Sequence, residues 1–158
     1  DSAIMLLENR MLNSALNLPI EVIKEYGNLP KITCYAAQVN QVFFHIISNA
    51  IDALSSKGEY PSSDPPKIKI TTETLDGKKV KITITDNGEG MNQETQAKIF
   101  DPFFTTKPVG QGTGLGLSTS YQIIVAEHGG NLTCDSELGK GTEFVIILPV
   151  TPLRSARN

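Results

Sequence analysis

The sequence has little cysteine and no long apolar run, and each shortage excludes a class of protein. Cys34 and Cys134 are the two cysteines among 158 residues, and they lie far apart and outside any C-x-x-C spacing. Neither a disulfide framework nor a zinc site is therefore indicated, and a reducing, cytoplasmic setting fits. No apolar run approaches the ~18 residues of a membrane span. We expect no membrane contact by this chain, although a longer protein containing it can be membrane-anchored.

An excess of basic charge is also missing. The 14 Lys and Arg residues against 17 Asp and Glu give a net charge of −3, whereas a nucleic-acid-binding surface is basic. We therefore expect no nucleic-acid partner, and phosphate recognition has to be local. A chain of this length is ordinarily one domain. Its 39% apolar and 20% charged residues exclude a wholly disordered chain.

Hydrophobic periodicity divides the chain into a connector helix (1–18), a core domain (19–150) and a tail (151–158). Two short extended stretches, 20–23 and 31–34, predict a hairpin or paired edge strands, and residues 55–66 predict a loop. Alternation around Asp76-Gly77 predicts a second hairpin. The other predicted elements are helices at 36–54, 93–100 and 115 to 127 or 128, closed by Gly129, and strands at 67–74, 79–85, 132–135 and 142–148.

The alternation of side chains along the predicted strand 79–85 places a carboxylate on the face that points into the core. Val80, Ile82 and Ile84 share one face of a strand, and the same parity places Asp86 inward. A buried carboxylate needs a donor, and an adenine ring needs an acceptor for its amino group. The glycines of Asp86-Asn87-Gly88-Glu89-Gly90 allow the backbone to pass close to such a ring. The alternative is an ordinary Asp-Asn-Gly turn.

The glycine-rich run 110–116 opens the second long helix, so that backbone N–H groups and the helix dipole can face phosphates. It is neither a Walker loop nor a dinucleotide fingerprint, because no Gly-Lys-Ser/Thr follows and no strand directly precedes it. A flexible linker is the alternative. Lys107 is either a charge over the terminal phosphate or a solvated lysine. On the first long helix, His45 and Asn49 lie on one polar stripe with Gln41 and Asp52.

Five segments follow one another along the chain: His45-x-x-x-Asn49-Ala50, residues 86–91, residues 99–107, residues 112–118, and Gly141-Thr142-Glu143-Phe144. Taken in this order, they resemble the N, G1, F, G2 and G3 boxes of the catalytic domain of sensor histidine kinases. The resemblance covers about residues 20–149 and implies an α/β two-layer sandwich. In that fold a mixed sheet of about five strands is covered on one face by three helices, and a mobile lid lies over ATP.

The resemblance also implies roles, with ATP and Mg²⁺ as cofactors. Asn49 corresponds to the Mg²⁺ ligand and Asp86 to the adenine acceptor, and Thr142 lies close to both Asp86 and the base. Residues 100–104 would anchor the lid or dock it on a partner. The implied catalytic residues are His45, Asn49 and Lys107. The remaining nucleotide contacts are Gly88, Gly90, Met91, Lys107, Gly112, Thr113, Gly114, Leu115 and Gly116.

The implied reaction transfers the γ-phosphoryl group of ATP to a histidine. The chain contains two histidines, His45 and His128, and neither lies where a phosphoacceptor helix would be. We therefore expect the acceptor on an upstream dimerisation domain, with a response regulator as the indirect partner, and little autophosphorylation by this chain alone.

The sequence departs from the family pattern twice. His45 stands where the kinases commonly have Asn and related ATPases a water-activating Glu, and Asp52 stands where many relatives have Lys. We interpret His45 as a polar ligand near the waters of the metal, although histidine can act as a base. Asp52 predicts weaker nucleotide affinity or compensation by Lys107. Two alternatives remain: an ATP-hydrolysing clamp of the gyrase and chaperone type, and a non-catalytic nucleotide-sensing module.

Overall fold

In the part of the chain that the structure describes, five strands form one mixed sheet in the order β1-β2-β3-β5-β4. The computed structural model describes residues 20–27, 34–102 and 116–150. The predicted connector helix, the tail, Lys107 and the run 112–115 lie outside these residues. The strands are β1 (Glu21–Tyr26), β2 (Lys67–Leu75), β3 (Lys79–Asp86), β4 (Asn131–Glu137) and β5 (Gly141–Pro149).

The β2–β3 hairpin confirms the turn signal, because Asp76 (φ 44°) and Gly77 (φ 75°) both adopt the left-handed conformation that such turns need. The prediction of a strand at 20–23 is confirmed as well. Its described partner, however, is β2, which pairs with β1 in parallel from Glu21 opposite Lys67. Of the stretch 31–34 only Cys34 is described, and it lies outside the strands.

The helices cover one face of the sheet. Helix α1 (Ala36–Lys57) runs three residues beyond its predicted end and stops at Gly58, whose φ is 77°, so the expected loop at 55–57 is wrong. Helix α2 is Gln93–Lys98. Helix α3 (Gly116–Tyr121) continues as a π-helix (Gln122–Glu127), and the chain then turns at Gly129, as predicted, with φ 68°.

The core lies between α1 and the inner face of the sheet. The buried residues of α1 follow its apolar stripe and meet inward residues of the strands that alternate as predicted. On the outer face, exposed ion pairs such as Lys69–Glu25 at 3.4 Å contribute little stability. Within the described ranges no helix is long and apolar enough to cross a membrane. The sheet contributes Ile68, Ile70, Val80, Ile82, Ile84, Leu132, Phe144, Ile146 and Leu148 to the core.

Candidate nucleotide site

The carboxylate of Asp86 is buried at the inner end of β3, as strand parity predicts. Its relative exposure is 5%, and the backbone N–H of Gly88 donates to Oδ1 at 2.9 Å. Burial raises the pKa of Asp86 to about 6, while backbone hydrogen bonds from Gly88 and Thr142 act in the opposite direction. At pH 7 the group is therefore largely an anion with two peptide donors.

The side chain of Asn87, next to this carboxylate, has a structural role. Its Oδ1 accepts from the backbone N–H of Lys67 at 2.8 Å, and its Nδ2 donates to the carbonyl of Pro65 at 2.9 Å. Both ends of the amide are used to tie the end of β3 to the start of β2. The turn interpretation of Asp-Asn-Gly therefore holds for Asn87, while Asp86 faces inward.

A serine that the sequence analysis missed organises the neighbouring strand ends. The hydroxyl of Ser136 accepts from the N–H of Met91 at 2.8 Å and donates to the carbonyl of Gly141 at 3.0 Å. It also lies 2.8 Å from Oγ1 of Thr142, the residue that pairs with Asp86 across β3 and β5. The parity of Leu132 and Cys134 on β4 would have placed Ser136 on this inner face.

Gly88 and Gly90 both lie where a side chain would collide with protein. A β-carbon on Gly88 would lie 2.7 Å from the carbonyl carbon of Ala53 in α1, and one on Gly90, where φ is 71°, would overlap the carbonyl oxygen of Glu137. The N–H of Glu89 between them donates to the carbonyl of Ala53 at 3.2 Å. Packing thus gives each glycine a structural reason, and their contact with a base stays a prediction.

Lys57, in the last turn of α1, ties the same loop to the β4–β5 turn. Its Nζ donates to the carbonyls of Asn87 and Gly139, both at 3.3 Å, and lies 5.0 Å from the ring centre of Tyr60. The hydroxyl of Tyr60 donates to the carbonyl of Leu54 at 2.7 Å. Burial, then the charges of Asp86 and Glu89, raise the pKa of Tyr60 to about 12, so its hydroxyl keeps its proton.

His45 and Asn49 follow each other on successive turns of α1, and both are half-buried. Burial lowers the pKa of His45, which favours the neutral ring at pH 7. A β-carbon on Gly116 would lie 3.0 Å from Nδ1 of His45, so the first residue of α3 is brought against the predicted N box. The described residues include no group of three or more His, Cys, Asp or Glu side chains that could hold a metal ion.

One groove at this end of the sheet is lined by some of the predicted site residues. Asp86, Met91 and Thr142 line it together with Ser136 and the turn that follows β4. His45, Asn49, Gly88 and Gly116 do not line it. Lys107, Gly112, Thr113, Gly114 and Leu115 lie outside the described residues. The groove therefore joins three of the predicted nucleotide contacts, Asp86, Met91 and Thr142, while Gly90 also lies outside its lining. Of the predicted phosphate side, the described residues bring together His45 and Gly116.

His128 is buried and has both ring nitrogens engaged. It is 1% exposed, its Nε2 accepts from the N–H of Tyr35 at 3.0 Å, and its Nδ1 lies 2.7 Å from the carbonyl of Ile123. A peptide N–H can only donate and a carbonyl can only accept. These two partners place a proton on Nδ1, and neither nitrogen is accessible to a phosphoryl donor.

Comparison with known proteins agrees with this architecture. Residues 35–152 match the family described as "Histidine kinase-, DNA gyrase B-, and HSP90-like ATPase", and the chain belongs to that family. It is 42% identical over 123 residues to sporulation kinase E of Bacillus subtilis, covering 78% of this chain and 15% of the relative. It is 40% identical over 134 residues to the histidine-protein kinase AtoS of Escherichia coli, covering 84% of this chain and 20% of the relative.

Solved structures show the same fold. The catalytic domain of histidine kinase ThkA superposes with a TM-score of 0.75 at 32% identity, covering 96% of this chain and 91% of that one. A structure of ThkA with the response regulator protein TrrA gives a TM-score of 0.71 at 28% identity, covering 96% of this chain and 39% of that one. This chain is thus a histidine kinase ATPase domain, and it spans 15% of sporulation kinase E and 20% of AtoS.

Proposed function

We propose that this chain holds ATP for a sensor histidine kinase, which transfers the γ-phosphoryl group to a histidine on a separate dimerisation domain. The buried carboxylate of Asp86 carries the proposal. A carboxylate has about four acceptor positions, and Gly88 and Thr142 supply two backbone donors. The remaining capacity suits the exocyclic amino group of adenine, beside Met91 and Thr142 in the same groove.

For the phosphate side of the site we propose contacts from α1 and from the residues that precede α3 in the sequence. Asn49 fits Mg²⁺ as a single protein oxygen, because this ion keeps several waters and binds largely through nucleotide phosphates, and no acidic cluster competes for it among the described residues. When bound, the ion neutralises charge on the phosphates. Lys107 and the backbone of 112–116 are the proposed phosphate donors, and His45 is the proposed polar neighbour of the waters of the metal.

The acceptor histidine is proposed to belong to another domain, with a response regulator further along the phosphotransfer chain. His128 is buried with both nitrogens hydrogen-bonded, and His45 belongs to the proposed nucleotide site. The complex of the similar kinase ThkA with TrrA supports a partner of this class.

Incubation with γ-labelled ATP tests the reaction. We expect the 158-residue chain to bind ATP, to take up no label on histidine and to release little phosphate, whereas a longer chain with a histidine-bearing dimerisation domain becomes labelled. Steady phosphate release by this chain would instead support a hydrolysing clamp. ATP binding without labelling of the longer chain would support a nucleotide-sensing module.

Asn49→Ala should weaken the dependence of ATP binding on Mg²⁺, because one protein oxygen near the metal is removed. Loss of one such contact is worth roughly tenfold in affinity. Calorimetric titration with ATP in Mg²⁺ and then in EDTA measures the ratio of the two affinities, which should approach one in the variant. Gln41→Ala, an exposed position two turns earlier on the same helix, is the control and should keep the wild-type ratio. An unchanged ratio in Asn49→Ala would remove Asn49 from the metal site.

A further inference from the structure

The imidazole ring of His45 occupies the space in front of Gly116. A β-carbon built on Gly116 would lie 3.0 Å from Nδ1, 3.3 Å from Cγ and 3.5 Å from Cε1 of that ring. Real β-carbons rarely approach other atoms at the shorter of these distances. A side chain at position 116 therefore needs the ring of His45 to shift by a few tenths of an ångström.

The ring is held in place on the α1 side. Phe44 lies next to it with ring centres 6.0 Å apart and planes at 82°, an edge-to-face arrangement that aromatic rings favour. Burial lowers the pKa of His45, and the neutral form is the one that tolerates such packing at pH 7. His45 thus presents its ring to the first residue of α3, with Phe44 packed beside it.

We propose that His45 is a positioning residue that sets the spacing between α1, which carries Asn49, and α3, and that His45 and Gly116 act as one matched pair in nucleotide binding. This inference rests on the proposed function and adds to it. The histidine that stands at position 45 serves as a packing surface for Gly116, and a β-carbon at position 116 would press against its ring.

A double-mutant cycle tests the pair by ATP titration of the 158-residue chain. We expect Gly116→Ala to weaken ATP binding about tenfold and His45→Ala about threefold, both typical of contacting residues. The double variant should bind about as well as His45→Ala alone, because the smaller side chain makes room for the added methyl group. Gln41→Ala, on the same polar stripe, is the matched background and should leave the tenfold loss from Gly116→Ala unchanged.

Independent losses that multiply in the double variant would overturn the inference. So would coupling that appears in the free energy of unfolding from urea titration but not in ATP affinity, since that would be packing without a role in binding. If Gly116→Ala does not fold, the double variant decides: affinity equal to that of His45→Ala supports the pair, and lost affinity refutes it.

The same titrations separate this inference from the proposed function. A wild-type chain that binds no ATP refutes both. Wild-type binding that Asp86→Asn abolishes, combined with independent effects at 45 and 116, leaves the proposed function standing and refutes the pair.

Discussion

Asp86→Asn is expected to weaken ATP binding by roughly 100-fold or more, because an anionic acceptor facing an amino group becomes an amide that can present a donor there. The shape of the side chain is nearly unchanged, so the effect reports on hydrogen bonding and charge. Titration of wild type and variant with ATP measures it. Asp76→Asn is the matched control, since Asp76 lies at the opposite end of β3, in a hairpin turn with φ 44° that asparagine also tolerates.

The substitution that weakens ATP binding should increase the stability of the fold relative to wild type, and this increase should grow as pH rises. In the folded chain the pKa of Asp86 rises from 3.8 to about 6 through burial. A group with a raised folded pKa contributes stability below its unfolded pKa and loses that contribution as pH rises through the folded value. The loss approaches about 3 kcal/mol at pH 7. About 0.5 kcal/mol of this is already lost at pH 4, which lies just above the unfolded pKa. Relative to wild type, the Asp86→Asn variant should therefore gain roughly 2.4 kcal/mol between pH 4 and pH 7.

Urea unfolding of both proteins at pH 4 and pH 7 checks this gain. Any constant cost of fitting an amide beside the N–H groups of Gly88 and Thr142 cancels in the difference between the two pH values. A stability difference that does not change with pH would mean that Asp86 is not desolvated. Unchanged ATP affinity would remove Asp86 from the nucleotide site.

The sequence predicts those parts of the structure that repeat with a fixed period. Alternation along β3 places Val80, Ile82 and Ile84 inward, and the same count correctly buries Asp86. The hairpin at Asp76-Gly77 follows from local backbone preference. These features depend on neighbours in the chain, so that one sequence is enough to find them.

The features that sequence reasoning missed depend on distant partners. The last turn of α1 looks like a polar loop, yet Lys57 is held by carbonyls of Asn87 and Gly139, 30 and 82 residues away. Ser136 is an ordinary polar residue until β4 lies beside β5. At the end of the π-helix the N–H of Gly130 donates a hydrogen bond to the carbonyl of Ile124. The N–H of Tyr35 donates a hydrogen bond to Nε2 of His128, and these two residues are 93 apart in the chain.

Gly141→Ala is expected to destabilise the fold by about 3 kcal/mol or more, through a collision in the sheet beside Asp86. Gly141 begins β5 with φ 128°, and a β-carbon there would overlap the carbonyl oxygen of Asp86 and approach the α-carbon of Asn87 to 3.0 Å. Both neighbours are backbone, and β3 is fixed between β2 and β5. They cannot move aside as a flexible side chain would.

Gly139→Ala separates the collision from the backbone conformation. Gly139 also has a positive φ, 80°, but a β-carbon there would meet nothing within 4 Å, so its replacement should cost only about 1 kcal/mol. Urea unfolding of the two variants gives the difference, and equal costs would mean that strand ends can separate freely at Asp86. A larger cost at Gly141, together with weakened ATP binding, would show that the fit of β5 against β3 holds the carboxylate in place, because neither substitution alters Asp86 itself.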